Sequence, residues 1–125
     1  LILNRDRHGA NIEVLRNSVS KTIRLADLFD HGLSLLFSSK TVSEINSVDV
    51  MEDKPVQCFV GSNSAKKNLE IIPSDYRIDI RDLKEQDREY IFKDVDGIMP
   101  QAWQDKVWEM IWKRWCFYEG LRNTR

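Results

Sequence analysis

Residues 12–26 decide the predicted fold, and they read IEVLRNSVSKTIRLA. Residues 12–15 and 21–26 alternate β-branched or aliphatic with polar side chains, and the five residues between them are turn formers. This pattern predicts a β-hairpin with a five-residue connection. Because a hairpin folds back on itself, we expect Asn11 before it and residues 27–32 after it to lie side by side.

Composition limits the classes of protein that the chain can belong to. It has 125 residues, 42% apolar and 31% charged, with 19 basic and 20 acidic side chains and a net charge of −1. This length fits one domain, and the composition is not that of a disordered chain. The charge balance predicts no direct nucleic-acid partner. No apolar run exceeds four residues, which is too short for a membrane span or a signal peptide, so no membrane partner is expected.

The two cysteines and the first residues bear on compartment and completeness. Cys58 and Cys116 lie far apart and form neither a disulfide framework nor a metal-binding spacing, so we expect a cytoplasmic protein. The chain opens on Leu1-Ile2-Leu3 without an initiator Met. An apolar start is typical of a segment that follows earlier sequence, so we expect a fragment.

Helical signals dominate the region after the hairpin. Residues 33–60 are expected to be mostly loop, and helices are predicted at 65–72, from a capping box at 82–85 to about residue 95, and from Pro100 to about residue 119. Ser62 or Ser64 should cap the first, and Gly120 should end the last. The predicted class is α+β, mostly α.

The last predicted helix carries apolar residues on more than one side. One face is formed by Trp103, Val107, Met110, Ile111, Trp115 and Tyr118. Trp108 and Trp112 lie one turn apart on the opposite side. This distribution predicts a core helix, and its alternative is a surface that binds a partner.

The residues that carry chemistry flank the hairpin. Asp6-Arg7-His8-Gly9-Ala10-Asn11 precedes it, and Phe29-Asp30-His31-Gly32 follows it. Phosphoryl transfer from ATP needs a carboxylate that orients the attacking hydroxyl and accepts its proton, together with oxygen ligands for magnesium. An Asp and an Asn five residues apart can supply both from one loop, and a second Asp returned by the hairpin completes the metal site. An Asp and Asn at this spacing alone would more often cap a turn, so the added Asp30 segment makes the pattern specific.

At these residues the chain resembles the HipA family of bacterial serine/threonine protein kinases. That family has an Asp-x-His-x-x-Asn catalytic loop, a hairpin, and a segment like Leu-Ala-Pro-x-Phe-Asp-Asn-Gly. The stretch Leu25-Ala26-Asp27-Leu28-Phe29-Asp30-His31-Gly32 is similar to that segment, and the stretch from Lys54-Pro55 to Ile72 is similar to a weaker one. The resemblance implies the C-terminal lobe of a protein-kinase-like fold and a toxin of a toxin–antitoxin module. It also implies Mg²⁺ and ATP as cofactors, a protein substrate, and an antitoxin or N-terminal kinase lobe as partner.

The resemblance assigns roles by position. Asp6 is the expected catalytic base, Asn11 and Asp30 are the expected magnesium ligands, and His8 is grouped with them at the cofactor site, where it braces the loop. Arg7 is expected to hold the loop or a neighbouring acidic group. His31 stands where the family often has Asn, and Asp27 where it often has Pro, although neither departure removes a group that the mechanism needs.

The resemblance also implies an organisation for residues 1–125 as a single domain or fragment. Residues 1–37 would carry the catalytic loop, the hairpin and the metal-binding segment, and residues 38–125 a mainly helical region. No glycine-rich nucleotide loop and no strand Lys precede Leu1, so we expect the chain to have little or no kinase activity without an N-terminal lobe.

Two other interpretations stay open. Phosphoinositide kinases share the Asp-Arg-His-x-x-Asn spelling, but they place an Ile-Asp-Phe-Gly-type sequence at the metal Asp, where this chain has Phe29-Asp30-His31-Gly32. The chain could also be a non-catalytic interaction or scaffold module that keeps a kinase-like site, with the Trp-rich last helix as its working surface.

Overall fold

The computed structural model describes residues 1–58, 61–73 and 81–123. Over these residues the chain is a small α+β protein with four α-helices and two short sheets, which confirms the expected class. The strands are β1 (Asp6–Arg7), β2 (Val14–Arg16), β3 (Ile23–Leu25) and β4 (Gln57–Cys58). The helices are α1 (Val42–Ser47), α2 (Ala65–Ile71), α3 (Asp87–Phe92) and α4 (Gln101–Asn123), and a 3-10 turn covers Gly9–Asn11.

The chain comprises two compact units. The loop unit consists of Leu3–Ser34 and Asp53–Ile71. The helical unit consists of Leu1–Ile2, Leu35–Glu52 and Ile72–Arg125. Every predicted site residue belongs to the loop unit.

The predicted hairpin is present, with a shifted connection. β2 and β3 pair antiparallel, with Val14 opposite Leu25 and Arg16 opposite Ile23. The connection spans residues 17–22, so the prediction of a five-residue connection beginning at residue 16 was wrong. The Asn17 side chain accepts hydrogen bonds from the next residues of the turn, and Lys21 adopts a left-handed conformation with φ of 60°, which accommodates the longer connection.

The region expected to be mostly loop contains two elements that the sequence analysis missed. β4 pairs in parallel with β1, which places Asp6 opposite Gln57 and Arg7 opposite Cys58. α1 begins after Thr41, whose hydroxyl accepts from the Glu44 N–H while the Glu44 carboxylate accepts from the Thr41 N–H. This is a capping box, so a local signal for α1 was present in the sequence. Residues 59–60 of this region lie outside the described residues.

Of the three predicted helices, one matches the prediction, one is shorter than predicted at both ends, and one continues beyond its predicted end. α2 confirms the prediction at 65–72, and its first turn is capped by Ser64 Oγ, which accepts from the Lys67 N–H at 2.9 Å. The capping box predicted at 82–85 was wrong. The Asp82 carboxylate instead forms an ion pair with Arg122, with 3.2 Å between Oδ1 and Nη2, and α3 begins at Asp87. At that start the Asp87 carboxylate accepts from the Lys84 N–H at 2.8 Å.

The prediction that Gly120 ends the last helix was also wrong. α4 continues through Gly120 to Asn123. Arg122 in its last turn pairs with Glu119 and Asp82, each at 3.2 Å, and its guanidinium lies over the Trp115 ring. These contacts stabilise one further turn, which a glycine opposes only weakly.

The buried apolar residues of the helical unit come mainly from α4. Val107, Met110, Ile111 and Trp115 are buried, as the predicted face requires. α1 packs against this helix, and Ile45 of α1 is fully buried. Arg114 donates from Nε to the Val50 carbonyl at 2.8 Å and from Nη2 to the Glu52 carbonyl. Among the described helices, no span has the length and apolar character needed to cross a membrane.

Candidate functional site

The predicted catalytic loop is closed by its own side chains. β1 holds Asp6 and Arg7 in extended conformation, and the 3-10 turn then brings Asn11 back toward the strand. Asn11 Nδ2 donates to the Asp6 carbonyl at 2.9 Å, and Asn11 is only 7% exposed. The loop therefore presents both predicted site residues from one short closed segment.

His8 is held in one tautomer by its contacts. Its Nδ1 accepts a hydrogen bond from the Ala10 N–H at 3.1 Å, so the proton of a neutral ring lies on Nε2. Nε2 lies 3.1 Å from Asp6 Oδ1 and donates to it. His8 thus fixes one carboxylate oxygen of Asp6. The other oxygen of Asp6 accepts no hydrogen bond from the described residues, so it is free to meet a hydroxyl.

The segment after the hairpin holds Asp30 in an uncommon backbone conformation. Asp30 has φ of 51°, in the left-handed region that side-chain-bearing residues seldom adopt. Its carbonyl accepts from Asn4 Nδ2 at 2.9 Å. Its exposed carboxylate forms no ion pair or hydrogen bond within the part of the chain that the structure describes. Asp adopts this region more readily than most residues, and Leu3, Lys21 and Leu35 share it, so the conformation is a local backbone feature and not by itself a sign of a site.

Arg7 brings the loop and this segment together. Its Nη1 donates to the Asn11 carbonyl at 3.1 Å and to the Phe29 carbonyl at 2.6 Å. Its Nη2 donates to His31 Nδ1 at 3.0 Å. One guanidinium therefore contacts the residue that ends the loop and the residues on both sides of Asp30. The juxtaposition expected of the hairpin is present in the backbone.

A cavity of about 330 Å³ opens within the loop unit beside this contact. Arg7 and Asn11 form part of its lining, and apolar residues form much of the rest: Ile12, Leu25, Leu28 and Phe29. Its volume is at the lower end of the range for small-molecule pockets. No pattern in the amino-acid sequence indicated this cavity.

Asn11 and Asp30 supply oxygen atoms of the kind that Mg²⁺ binds when water and phosphate oxygens complete its coordination. Asn11 Oδ1 accepts no hydrogen bond from the described residues, and the Asp30 carboxylate is equally open. The structure describes no group of three or more His, Cys, Asp and Glu residues that could hold a metal ion. Mg²⁺ commonly takes one or two protein oxygens and completes its octahedron with water and phosphate oxygens, so an Asn and an Asp fit this cation without such a group.

Asn4 is a site residue that the sequence analysis missed. Its Oδ1 accepts from the Asp6 N–H at 3.0 Å while its Nδ2 donates to the Asp30 carbonyl. An Asn side chain commonly accepts a hydrogen bond from the N–H two residues later in a turn, so the contact between Asn4 and Asp6 could have been predicted from local sequence. The contact to Asp30 had none, because it joins residues 26 positions apart.

Comparison of the chain with models of protein families, with curated proteins and with solved structures found no match. The side chains and their geometry therefore carry the functional proposal.

Proposed function

We propose that this chain carries the catalytic loop and metal-binding segment of a HipA-like serine/threonine protein kinase, the toxin of a toxin–antitoxin module. The observation that carries the proposal is the bridge that Arg7 forms between the carbonyls of Asn11 and Phe29. A kinase needs its catalytic carboxylate and its metal-binding Asp at one place, and this bridge joins the two segments that bear them.

Asp6 is the proposed catalytic base. Its Oδ1 is engaged by His8 Nε2, which leaves Oδ2 to accept the hydrogen bond, and then the proton, of a substrate hydroxyl. His8 acts through Asp6 rather than on the substrate, because both of its ring nitrogens are already bonded inside the loop. His8 is thus proposed to orient the base.

Asn11 and Asp30 are the proposed ligands of Mg²⁺. When bound there, Mg²⁺ would neutralise charge on the phosphates of ATP. Asn11 is held for this role by its own Nδ2 contact to Asp6, which leaves Oδ1 as the ligand atom. Asp30 contributes the negative charge, and its exposed carboxylate accepts no hydrogen bond from the described residues.

The proposed partners follow from the chemistry of the transfer. The acceptor is a serine or threonine hydroxyl of a protein, and an N-terminal kinase lobe covers the nucleotide. An antitoxin and a cytoplasmic location belong to the same proposal. Neither nucleic acid nor a membrane is proposed as a partner.

A phosphotransfer assay tests the proposal. The polypeptide, extended to the start of its reading frame, is incubated with Mg²⁺, γ-labelled ATP, and either a mixed protein substrate or phosphoinositide vesicles. We expect label on protein serine or threonine, lost in Asp6→Asn and Asp30→Asn. The matched control is Asp27→Asn, which removes the same charge from a fully exposed side chain three residues before Asp30.

The other outcomes separate the alternatives. Label on lipid alone would indicate a phosphoinositide kinase and overturn the protein-kinase assignment. Absence of both transfer and Mg²⁺-dependent ATP binding would favour the non-catalytic module. The observation that favours this second candidate is the pair of half-buried rings Trp108 and Trp112 on α4, whose centroids lie 5.6 Å apart.

A further inference from the structure

We infer that Asn4 and Arg7 are positioning residues that hold the metal-binding segment against the catalytic loop, an inference that rests on the proposed function. Each side chain joins a backbone group of the loop to a backbone group of the segment after the hairpin. Together they set the separation between the proposed base and the proposed metal ligands.

Asn4 uses both ends of its amide for one bridge. Oδ1 accepts from the Asp6 N–H at 3.0 Å, and Nδ2 donates to the Asp30 carbonyl at 2.9 Å. Because the amide is small and planar, these two bonds fix the spacing between the backbones of Asp6 and Asp30. The Asp30 carbonyl that it holds belongs to the residue with positive φ, so Asn4 also stabilises the left-handed backbone conformation of Asp30.

Arg7, in β1 and three residues after Asn4, forms the second bridge. Its Nη1 reaches the carbonyls of Asn11 and Phe29, and its Nη2 reaches His31. The planar guanidinium is always charged and presents its donors in a rigid fork, which the single ammonium of Lys cannot reproduce. Arg7 thus holds Asn11 beside the residues that flank Asp30.

The two bridges act across the open end of the hairpin. The bonded residues are 26 positions apart for Asn4 and 22 for Arg7 to Phe29, so neither contact follows from local sequence. Without the bridges, the segment would still be tied to the loop by the hairpin and by the Arg5 N–H, which donates to the Leu33 carbonyl at 3.2 Å. Loss of either bridge should therefore weaken metal binding more than it weakens folding.

The test uses Mn²⁺ as a probe for Mg²⁺ and measures free Mn²⁺ by electron paramagnetic resonance with the full chain. Asn4→Ala and Arg7→Lys are expected to lower Mn²⁺ affinity about 10-fold, as removal of groups that orient metal ligands typically does. The control for Asn4 is Asn17→Ala, because the Asn17 side chain also accepts two backbone hydrogen bonds, but in the hairpin turn. The control for Arg7 is Arg24→Lys on the exposed β3. Both controls should bind Mn²⁺ as the unaltered chain does.

A double-mutant cycle with Asp30→Asn separates positioning from general damage. If Asn4 acts by placing Asp30, the variant carrying both Asn4→Ala and Asp30→Asn should bind Mn²⁺ no more weakly than Asp30→Asn alone. Asn4→Ser retains a hydroxyl that can accept from the Asp6 N–H, and it replaces Asn4→Ala in the cycle if the latter does not fold.

Three outcomes are distinguishable. Non-additive losses in the cycle, with unchanged controls, support the inference. Equal losses in Asn4→Ala and Asn17→Ala, or full additivity with Asp30→Asn, overturn it and leave the metal assignment standing. If Asp30→Asn binds Mn²⁺ as tightly as the unaltered chain, the metal assignment itself fails, and the positioning roles fail with it.

Discussion

Substitutions at Asp30 can separate its charge from its backbone conformation. The Asp30 carboxylate is exposed and forms no hydrogen bond or ion pair with the described residues, so its removal should cost little folding stability. Its φ of 51° is tolerated by Asn far better than by Ala. We therefore predict that Asp30→Asn and Asp30→Ala both weaken Mn²⁺ binding, and that Asp30→Ala is the less stable of the two variants.

The magnitudes follow from the geometry. Ala in the left-handed region costs about 1 kcal/mol relative to Asn. For a chain of this length that free-energy difference lowers the midpoint of thermal unfolding by roughly 4 °C. For the charge, even a carboxylate about 4 Å from a divalent ion, further away than a direct ligand, contributes about 2 kcal/mol in a water-like surrounding, so the loss of affinity should be at least roughly 30-fold. Asp30→Asn removes this charge without the backbone cost that Ala adds, so it isolates the charge effect.

The assay combines thermal unfolding followed by circular dichroism with Mn²⁺ titration of the same samples. Asp27→Asn and Asp27→Ala are the matched controls, since Asp27 lies in the same segment with a fully exposed side chain. Equal unfolding midpoints for Asp30→Asn and Asp30→Ala would refute the conformational argument. Unchanged Mn²⁺ affinity in Asp30→Asn would refute the role of Asp30 as a ligand.

Three further predictions concern the helical unit. Ile45 has no exposed surface, so Ile45→Ala should lower the free energy of unfolding by about 2–5 kcal/mol and Ile45→Val by about 1 kcal/mol in urea titrations; equal losses would contradict close packing of α1 on α4. Gly120 lies within α4, and outside the helix's own backbone no heavy atom of the described residues lies within 4 Å of an added Cβ. Gly120→Ala should therefore raise the free energy of unfolding by about 0.5–1 kcal/mol, and a decrease would contradict a continuous helix. The backbone N–H of Lys84 and, less strongly, the Arg81 side chain lower the pKa of the Asp87 carboxyl, although desolvation opposes them. Because this pKa is lower in the folded state, Asp87 contributes stability above its unfolded-state pKa. That contribution disappears as the pH falls through the lower folded-state value. The difference in unfolding midpoint between the unaltered chain and Asp87→Asn should therefore shrink below about pH 4, and a pH-independent difference would contradict this assignment.

Local sequence was sufficient to predict the elements with strong short-range signals. The alternation on both sides of Asn17 predicted the hairpin, and Ser64 followed by a helical run predicted α2. The capping residues at 41–44 could have predicted α1 in the same way. The predicted start of α3 and the predicted end of α4 were wrong for a common reason. Arg122 forms ion pairs with Asp82, far away in sequence, and with Glu119 in the last turn of α4. These contacts override the local signals of Asp82 and Gly120.

For the candidate site, too, one part of the arrangement was predictable from the sequence and another part was not. The residue types and spacing around Asp6, Asn11 and Asp30 were readable as a motif, and the return of the hairpin predicted that they would meet. The parallel pairing of β1 with β4 was not readable, because two-residue strands carry no periodic signal.

By itself, the amino-acid sequence determined which groups are available for chemistry and that a hairpin returns the second Asp toward the first. Only the tertiary structure decided how those groups are held: His8 against Asp6, Asn4 between Asp6 and Asp30, and Arg7 across Asn11 and Phe29. The physical reason is a difference in range. A hairpin forms from the preferences of residues close together in sequence. A hydrogen bond from a side chain to a carbonyl more than twenty residues away depends on which carbonyls the folded backbone leaves without partners. Those carbonyls become visible only when the chain is folded.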